Sequence, residues 1–202
     1  PLGIQSQHEL MLGVDWGLRD PYCALWICRL NDDYYVYRED YTANVPTEGQ
    51  AERIQRLTGE NEFIERVYVD RQMTERRRNA NTGTVDPSPI SVYADRLRAD
   101  GRFSHIQPAY KGERRHAFDA IDRLICRDNG YPNLFIERRC TNLWRELQGA
   151  VWSSKGKEDI AESNPDHAMS ALYYAILSHQ NASTKGNYLL EGYTAEVWAA
   201  EY

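Results

Sequence analysis

Three apolar segments follow one another between residues 10 and 41, and the turns between them are too short to hold a helix. The segments are 10–17, CALWICRL (23–30) and YYVYREDY (34–41), joined by LRDP and NDD. Strands joined by turns this short pair antiparallel, so the chain must begin as a meander. The period then changes. EGQAERIQRLTG has helical spacing, with Thr47 before it as an N-cap and Gly59 at its end. RVYVD (66–70) reads as a strand that follows a helix, so it pairs parallel in the same sheet. Residues 71–89 are polar, with Gly83, Pro87 and Pro89 late in the run, and read as a loop. SVYADRLRADG (91–101) is helical with a glycine stop, and FSHIQPA (103–109) is a strand. Residues 111–130 form a helix with Ala117, Ile121, Leu124 and Ile125 on one face. NLFIE (133–137) is a short strand, TNLWRELQGAVW (141–152) a helix and 153–165 a loop. DHAMSALYYAILSHQ (166–180) is an apolar helix with Asp166 in its first turn.

A meander followed by alternating helices and strands is the layout of the ribonuclease H-like fold. This is an α/β architecture in which helices flank a mixed five-stranded sheet, antiparallel first and then parallel. The 202 residues suit one domain, and five Trp and fourteen Tyr supply apolar surface for its core. Residues 1–7, opening Pro-Leu-Gly, read as a protease-cleavage remnant and flexible start; 8–181 form the domain, and 182–202 a C-terminal tail. No apolar run reaches membrane-spanning length, and the start lacks a signal-peptide pattern. Cys23, Cys28, Cys126 and Cys140 form no CxxC pair, which argues against a zinc site and for reduced thiols. The net charge of −6 argues weakly against a polyanionic partner, although the basic residues are clustered.

Asp15 interrupts an apolar strand, MLGVDWG. A buried carboxylate without a partner is costly. It must lie at an exposed edge, pair with Arg or Lys, or bind a metal. Two other aspartates bear on the choice. Asp70 ends RVYVD, which the topology sets beside the first strand. Asp166 starts a helix that must pack on the sheet, bringing its first turn over the strand carboxylates. Three converging carboxylates cannot all stay ionised without a cation, and hard oxygen donors suit Mg²⁺ or Mn²⁺. Two such ions about 4 Å apart are the machinery of phosphodiester hydrolysis.

The segments GVDWGLRDPYCALW, VYVD, PAYKGERRHAFDAIDRLI, LFIERRCTNLWRELQGAVW and SNPDHAMSALYYAI, in that order, resemble the C-terminal nuclease domain of a bacteriophage large terminase subunit. The resemblance runs from about residue 10 to about residue 180 and is most specific in DHAMSALYYA. Family members often carry a second Asp where this chain has Ser170. The resemblance implies a metal-dependent endonuclease that cuts concatemeric double-stranded DNA during genome packaging. Its two Mg²⁺ or Mn²⁺ ions would be held by Asp15, Asp70 and Asp166. It also implies an N-terminal packaging ATPase, a small terminase subunit and a portal as partners, and action at the procapsid in the host cytoplasm. No GxxxxGK[ST] phosphate loop occurs, so the chain corresponds to the nuclease part alone.

Further candidates each have an ordinary alternative. Lys111 can contact the scissile phosphate or be a solvated first-turn lysine. Asp20 can reach the metal site or form the turn before Pro21. His167 can orient a water or a carboxylate, or simply pack. Glu158, Asp159 and Glu162 could add a fourth ligand. The basic clusters Arg76–Arg77–Arg78, Lys111/Arg114/Arg115 and Lys155/Lys157 are candidate phosphate contacts, and no base-reading motif accompanies them. The alternatives to a terminase nuclease are another ribonuclease H-like nuclease, a resolvase or ribonuclease, and a non-catalytic module docking DNA or the portal.

Overall fold

The computed structural model describes residues 8–76, 83–110, 114–125, 130–150 and 165–184. Its strands are β1 (Glu9–Asp15), β2 (Tyr22–Leu30), β3 (Asp33–Thr42), β4 (Ile64–Val69), β5 (Phe103–Pro108) and β6 (Leu134–Ile136). They form one mixed sheet in the order β5-β4-β1-β2-β3-β6. The meander β1-β2-β3 is antiparallel; β4 joins β1, β5 joins β4 and β6 joins β3, all parallel. The sheet has six strands: the short segment around Phe135, read from the sequence as a strand, pairs with β3 and adds one to the five of the ribonuclease H-like layout. Strand β1 lies inside the sheet, hydrogen-bonded on both edges, which is why its residues are apolar almost without a break.

The helices are α1 (Thr47–Leu57), α2 (Pro89–Asp100), α3 (Arg114–Ile125), α4 (Thr141–Gly149) and α5 (His167–Thr184). Alternation along β1 divides the core. Leu10, Leu12 and Val14 join α1 and α2 in one apolar cluster, and Met11 joins α3, α4 and α5 in the other.

Four local expectations change. Thr47 is the first residue of α1 rather than its N-cap, which is Pro46, and its hydroxyl accepts from Trp16 Nε1 at 3.2 Å. Helix α2 starts two residues early because Pro89 suits the first helical position, and Gly101 closes it in the left-handed region at φ 77°. Residues 71–89 are not wholly loop, since Arg71–Thr74 make a 3₁₀ turn that buries Met73. On α3 the inward residues are Phe118, Ile121 and Leu124, while Ile125 is exposed and the Ala117 side chain lies outside the described residues.

One irregularity sets the far side of the site. The β2–β3 register shifts between Trp26↔Arg38 and Ile27↔Val36, which leaves Tyr37 as an extra residue. A bulge of this kind reverses which face the following side chains take. Before it, Tyr34 and Val36 face α3–α5; after it, Glu39 and Tyr41 do.

Candidate active site

The parallel register of β1 with β4 pairs Val14 with Val69, and the Asp70 N–H donates to the Val14 carbonyl at 2.9 Å. The next pair across these strands is Asp15 and Asp70. Parallel neighbours lie about 4.8 Å apart, so the two carboxylates stand side by side at the carboxyl ends of their strands. Alternation puts both on the α3–α5 face, Asp15 in line with Met11 and Asp70 in line with Tyr68. Each is 8% exposed. Across the sheet Asp15 is opposite Cys23, and Cys23 is opposite Tyr41.

Helix α5 comes down on this row because β1 lets it. A Cβ on Gly13 would stand 2.0 Å from the Ala171 carbonyl oxygen and 3.1 Å from Ala175 Cβ, so only glycine permits the approach. Two strand residues and four helical residues advance by similar lengths, about 6–7 Å. The step from Gly13 to Asp15 therefore matches the step from Ala171 back to His167. His167 Nδ1 indeed lies 2.9 Å from Asp15 Oδ2. Asp166 immediately precedes α5, half-buried, and its carbonyl accepts the first helical bond from Ser170 N–H at 2.7 Å.

Charge is confined here. Burial pushes the Asp15 carboxyl up to about 6; the His167 hydrogen bond and charge pull it down, and the charges of Asp70 and Glu146 add to the rise. Asp70 is raised, first by burial and then by the charge of Glu75, against the pull of the Gln72 N–H that its Oδ1 accepts at 2.9 Å. His167 is raised above its ordinary value by its bond to Asp15, with the Glu146 and Asp20 charges adding, while burial opposes them.

The structure thus brings Asp15, Asp70 and His167 together and sets Asp166 at the head of the helix that carries His167. Among the described residues, no three or more His, Cys, Asp or Glu side chains are grouped so as to hold an ion as they stand. The donors nevertheless fit a hard divalent cation: two neighbouring buried carboxylates whose ionisation burial opposes, with a third carboxylate at the facing helix start. Asp20 is exposed on the turn after β1, and its charge reaches His167. Arg76 is exposed just after the 3₁₀ turn. Arg114 and Arg115 open α3, but their side chains are outside the described residues. Arg77, Arg78, Lys111, Lys155, Lys157, Glu158, Asp159 and Glu162 also lie outside them, as does Cys126. Cys23, Cys28 and Cys140 are free and buried.

Sequence reasoning missed Glu146 of α4, whose carboxylate reaches the first turn of α5. The signal was available: Leu143, Glu146 and Leu147 share one stripe at helical spacing, so the acid was on the inward face.

No family model matches the chain, and no curated protein does. Solved structures do. The nuclease domain of the P22 large terminase superposes with a TM-score of 0.66 at 13% identity, covering 89% of this chain and 86% of that one. The chain has the fold of the large-terminase nuclease domains. The SPP1 g2p nuclease domain with bound Mn gives a TM-score of 0.53 at 18% identity over 84% of this chain and 85% of that one. The large terminase of a thermophilic bacteriophage gives 0.59 at 18% identity, and the match spans 87% of this chain but only 41% of that longer protein. The ribonuclease H-like expectation for the fold is therefore met, with one strand beyond the five-stranded layout. Among the described residues, no helix is long and apolar enough to cross a membrane.

Proposed function

We propose that this chain is the nuclease domain of a bacteriophage large terminase, a metal-dependent endonuclease that cuts concatemeric double-stranded DNA during packaging. The observation that carries this is the side-by-side burial of Asp15 and Asp70 under the head of α5. The manganese bound by the SPP1 nuclease domain, which shares the fold, supports a divalent ion here. Asp15, Asp70 and Asp166 would hold two ions, Mg²⁺ or Mn²⁺. Such ions neutralise the phosphate and lower the pKa of the attacking water.

The chain's own groups prepare the place. His167 engages Oδ2 of Asp15, and the Gln72 N–H engages Oδ1 of Asp70, which leaves Asp15 Oδ1 and Asp70 Oδ2 for a ligand. Each carboxylate is thereby fixed in rotation, so less ordering is needed when a cation arrives. Phosphate contacts from Arg76, Arg77, Arg78, Lys111, Arg114, Arg115, Lys155 and Lys157 would hold DNA without reading its sequence, and binding would weaken steeply with salt. In a full-length terminase the partners would be an N-terminal packaging ATPase, the small subunit and the portal, in the host cytoplasm.

The test is cleavage of supercoiled plasmid with EDTA, Mg²⁺ or Mn²⁺. Wild-type protein nicks and linearises the plasmid in the metal arms only, and Asp15→Asn does neither. Cutting in EDTA, or by Asp15→Asn, overturns the proposal. DNA binding without cutting in any arm would instead make the chain a docking module.

A further inference from the structure

Glu146 is 4% exposed, and the chemistry above gives it no task. Its Oε2 accepts two N–H groups of the first turn of α5, from Ala168 at 2.7 Å and Met169 at 3.0 Å. Helix α5 has no acidic residue of its own in that turn, so the carboxylate that satisfies its amides comes from another helix. The other oxygen, Oε1, is buried, and the Tyr41 hydroxyl stands against this carboxylate as a side-chain partner. A buried carboxylate is costly unless it is hydrogen-bonded, and the amides at the head of α5 supply two of the bonds that hold this one. The charge of Glu146 is felt at Asp15, His167, Cys23 and Tyr41, which places it behind the carboxylate row.

The same device occurs once more, one element upstream. Glu39 of β3 accepts the Leu143 N–H at 2.7 Å, the Asn142 N–H at 3.1 Å and the Asn142 side-chain amide at 2.8 Å, all at the start of α4. The sheet thus fixes α4 through Glu39, and α4 fixes α5 through Glu146. A cap supplied from within α5 would travel with the helix. A cap supplied from α4 ties the head of α5 to a fixed point, and that head carries Asp166 and the His167 ring bonded to Asp15.

Building on the metal-dependent reading of the site, we propose that Glu146 is a positioning residue. By holding the Ala168 and Met169 amides, it sets Asp166 and His167 at the height where they work with Asp15. The role needs an acceptor oxygen at that point and no negative charge.

Three variants test this: Glu146→Ala, Glu146→Gln and Glu146→Asp. In metal-free protein, amide hydrogen exchange at Ala168 and Met169 is expected to quicken at least about tenfold in Glu146→Ala, because the cap is gone. Well below its melting temperature, this variant should need about 10–100-fold more Mn²⁺ for half-maximal cleavage, the usual effect of losing a group behind a metal ligand. Its metal-free affinity for DNA should be unchanged. Glu146→Gln, whose side-chain carbonyl can accept both amides, should stay within about threefold of wild type on every measure. If Glu146→Ala does not fold, Glu146→Asp decides: its shorter reach loosens the cap, and both exchange and the Mn²⁺ requirement should rise.

Three results overturn the proposal. A variant that melts lower but keeps the wild-type Mn²⁺ requirement would make Glu146 scaffold only. A Glu146→Gln as damaged as Glu146→Ala would mean that the charge matters and the cap does not. Wild-type exchange at Ala168 and Met169 in Glu146→Ala would mean that no cap operates. Failure of the underlying functional reading looks different: wild type and Asp15→Asn would then respond identically to Mn²⁺, and the inference would fall with it.

Discussion

Three aspartates of this sheet are almost equally hidden, Asp40 at 6% exposure and Asp15 and Asp70 at 8% each, yet the chain treats them in opposite ways. Asp40 faces α1, and Arg53 of that helix grips it with two nitrogens at 2.9 and 2.6 Å while the Tyr22 hydroxyl donates to the same carboxylate. On that face Arg38 likewise holds Glu62 through two bonds, at 2.6 and 2.8 Å. Asp15 and Asp70 face α5 beside each other, and their hydrogen-bond partners among the described residues are a histidine ring and one backbone amide. Asp40 and Glu62 are closed within the protein, whereas Asp15 and Asp70 are neighbouring acids whose ionisation burial opposes. A closed pair is scaffold, whereas gathered acids are what a cation-binding site requires.

The largest expected contrast is in cleavage. Asp15→Asn and Asp70→Asn should each lower it at least about 10³-fold, the scale on which losing a group that stabilises the transition state is felt. Neither should lower the metal-free melting temperature, and both should lose the rise in melting temperature that Mn²⁺ gives wild type. A metal-free Asp70→Asn that melts markedly lower while still cutting DNA would move Asp70 to the scaffold class.

Asp40→Asn should do the reverse. It leaves Arg53 without its counter-charge and should cost about 3 kcal/mol in denaturant unfolding, with cleavage kept at temperatures where the variant is folded. Loss of cleavage in that folded variant would erase the distinction between the two faces.

Gly13→Ala should damage both properties, because its Cβ meets the Ala171 carbonyl and α5 must lift off β1. We expect about 2 kcal/mol of lost stability, the scale of overpacking, together with reduced cleavage and a weakened His167–Asp15 contact in NMR spectra of the ring. Wild-type cleavage by this variant would mean that the height of α5 does not matter.

The smallest effect is in pH. The folded Asp15 carboxyl, at about 6, lies above its unfolded value, so the folded chain holds the proton longer. Stability from this group is full below the unfolded pKa and is lost as pH rises through about 6. His167, also raised, acts in the same direction. Metal-free wild type should therefore gain about 1 kcal/mol relative to Asp15→Asn on going from about pH 7 to about pH 5. A gain of the same size in the variant would place the titrating group elsewhere.

Much of this was legible because burial on both sides of β1 and β2 leaves only apolar residues, so a single charge such as Asp15 stands out. Asp70 stood out in the same way at the end of VYV, and the DHAM segment marked Asp166 and His167. Asp40 and Glu39 were not legible as scaffold. The bulge at Tyr37 shifts the alternation of β3, so the face of each residue cannot be counted along the strand. Glu146 was missed because acids in an amphipathic helix usually face water, and the partner amides are twenty-two and twenty-three residues away in sequence. The Ile125 error is one of position on the stripe: Ile121 and Leu124 face inward while Ile125, one residue further round the helix, faces out.

The contact between His167 and Asp15 joins residues 152 positions apart. Strand β1 therefore leaves the ribosome well before α5 does. During synthesis the strand pair β1–β4 can form early, but the helix that sets Asp166 and His167 over it follows only after all six strands have been translated. Contacts this distant in sequence are also slow to close, because the intervening chain must be ordered first. A ribosome-bound or truncated chain therefore carries two strand carboxylates without the third acid and the histidine. The candidate site is thus complete only when α5 has been made, a delay built into the order of the strands and helices themselves.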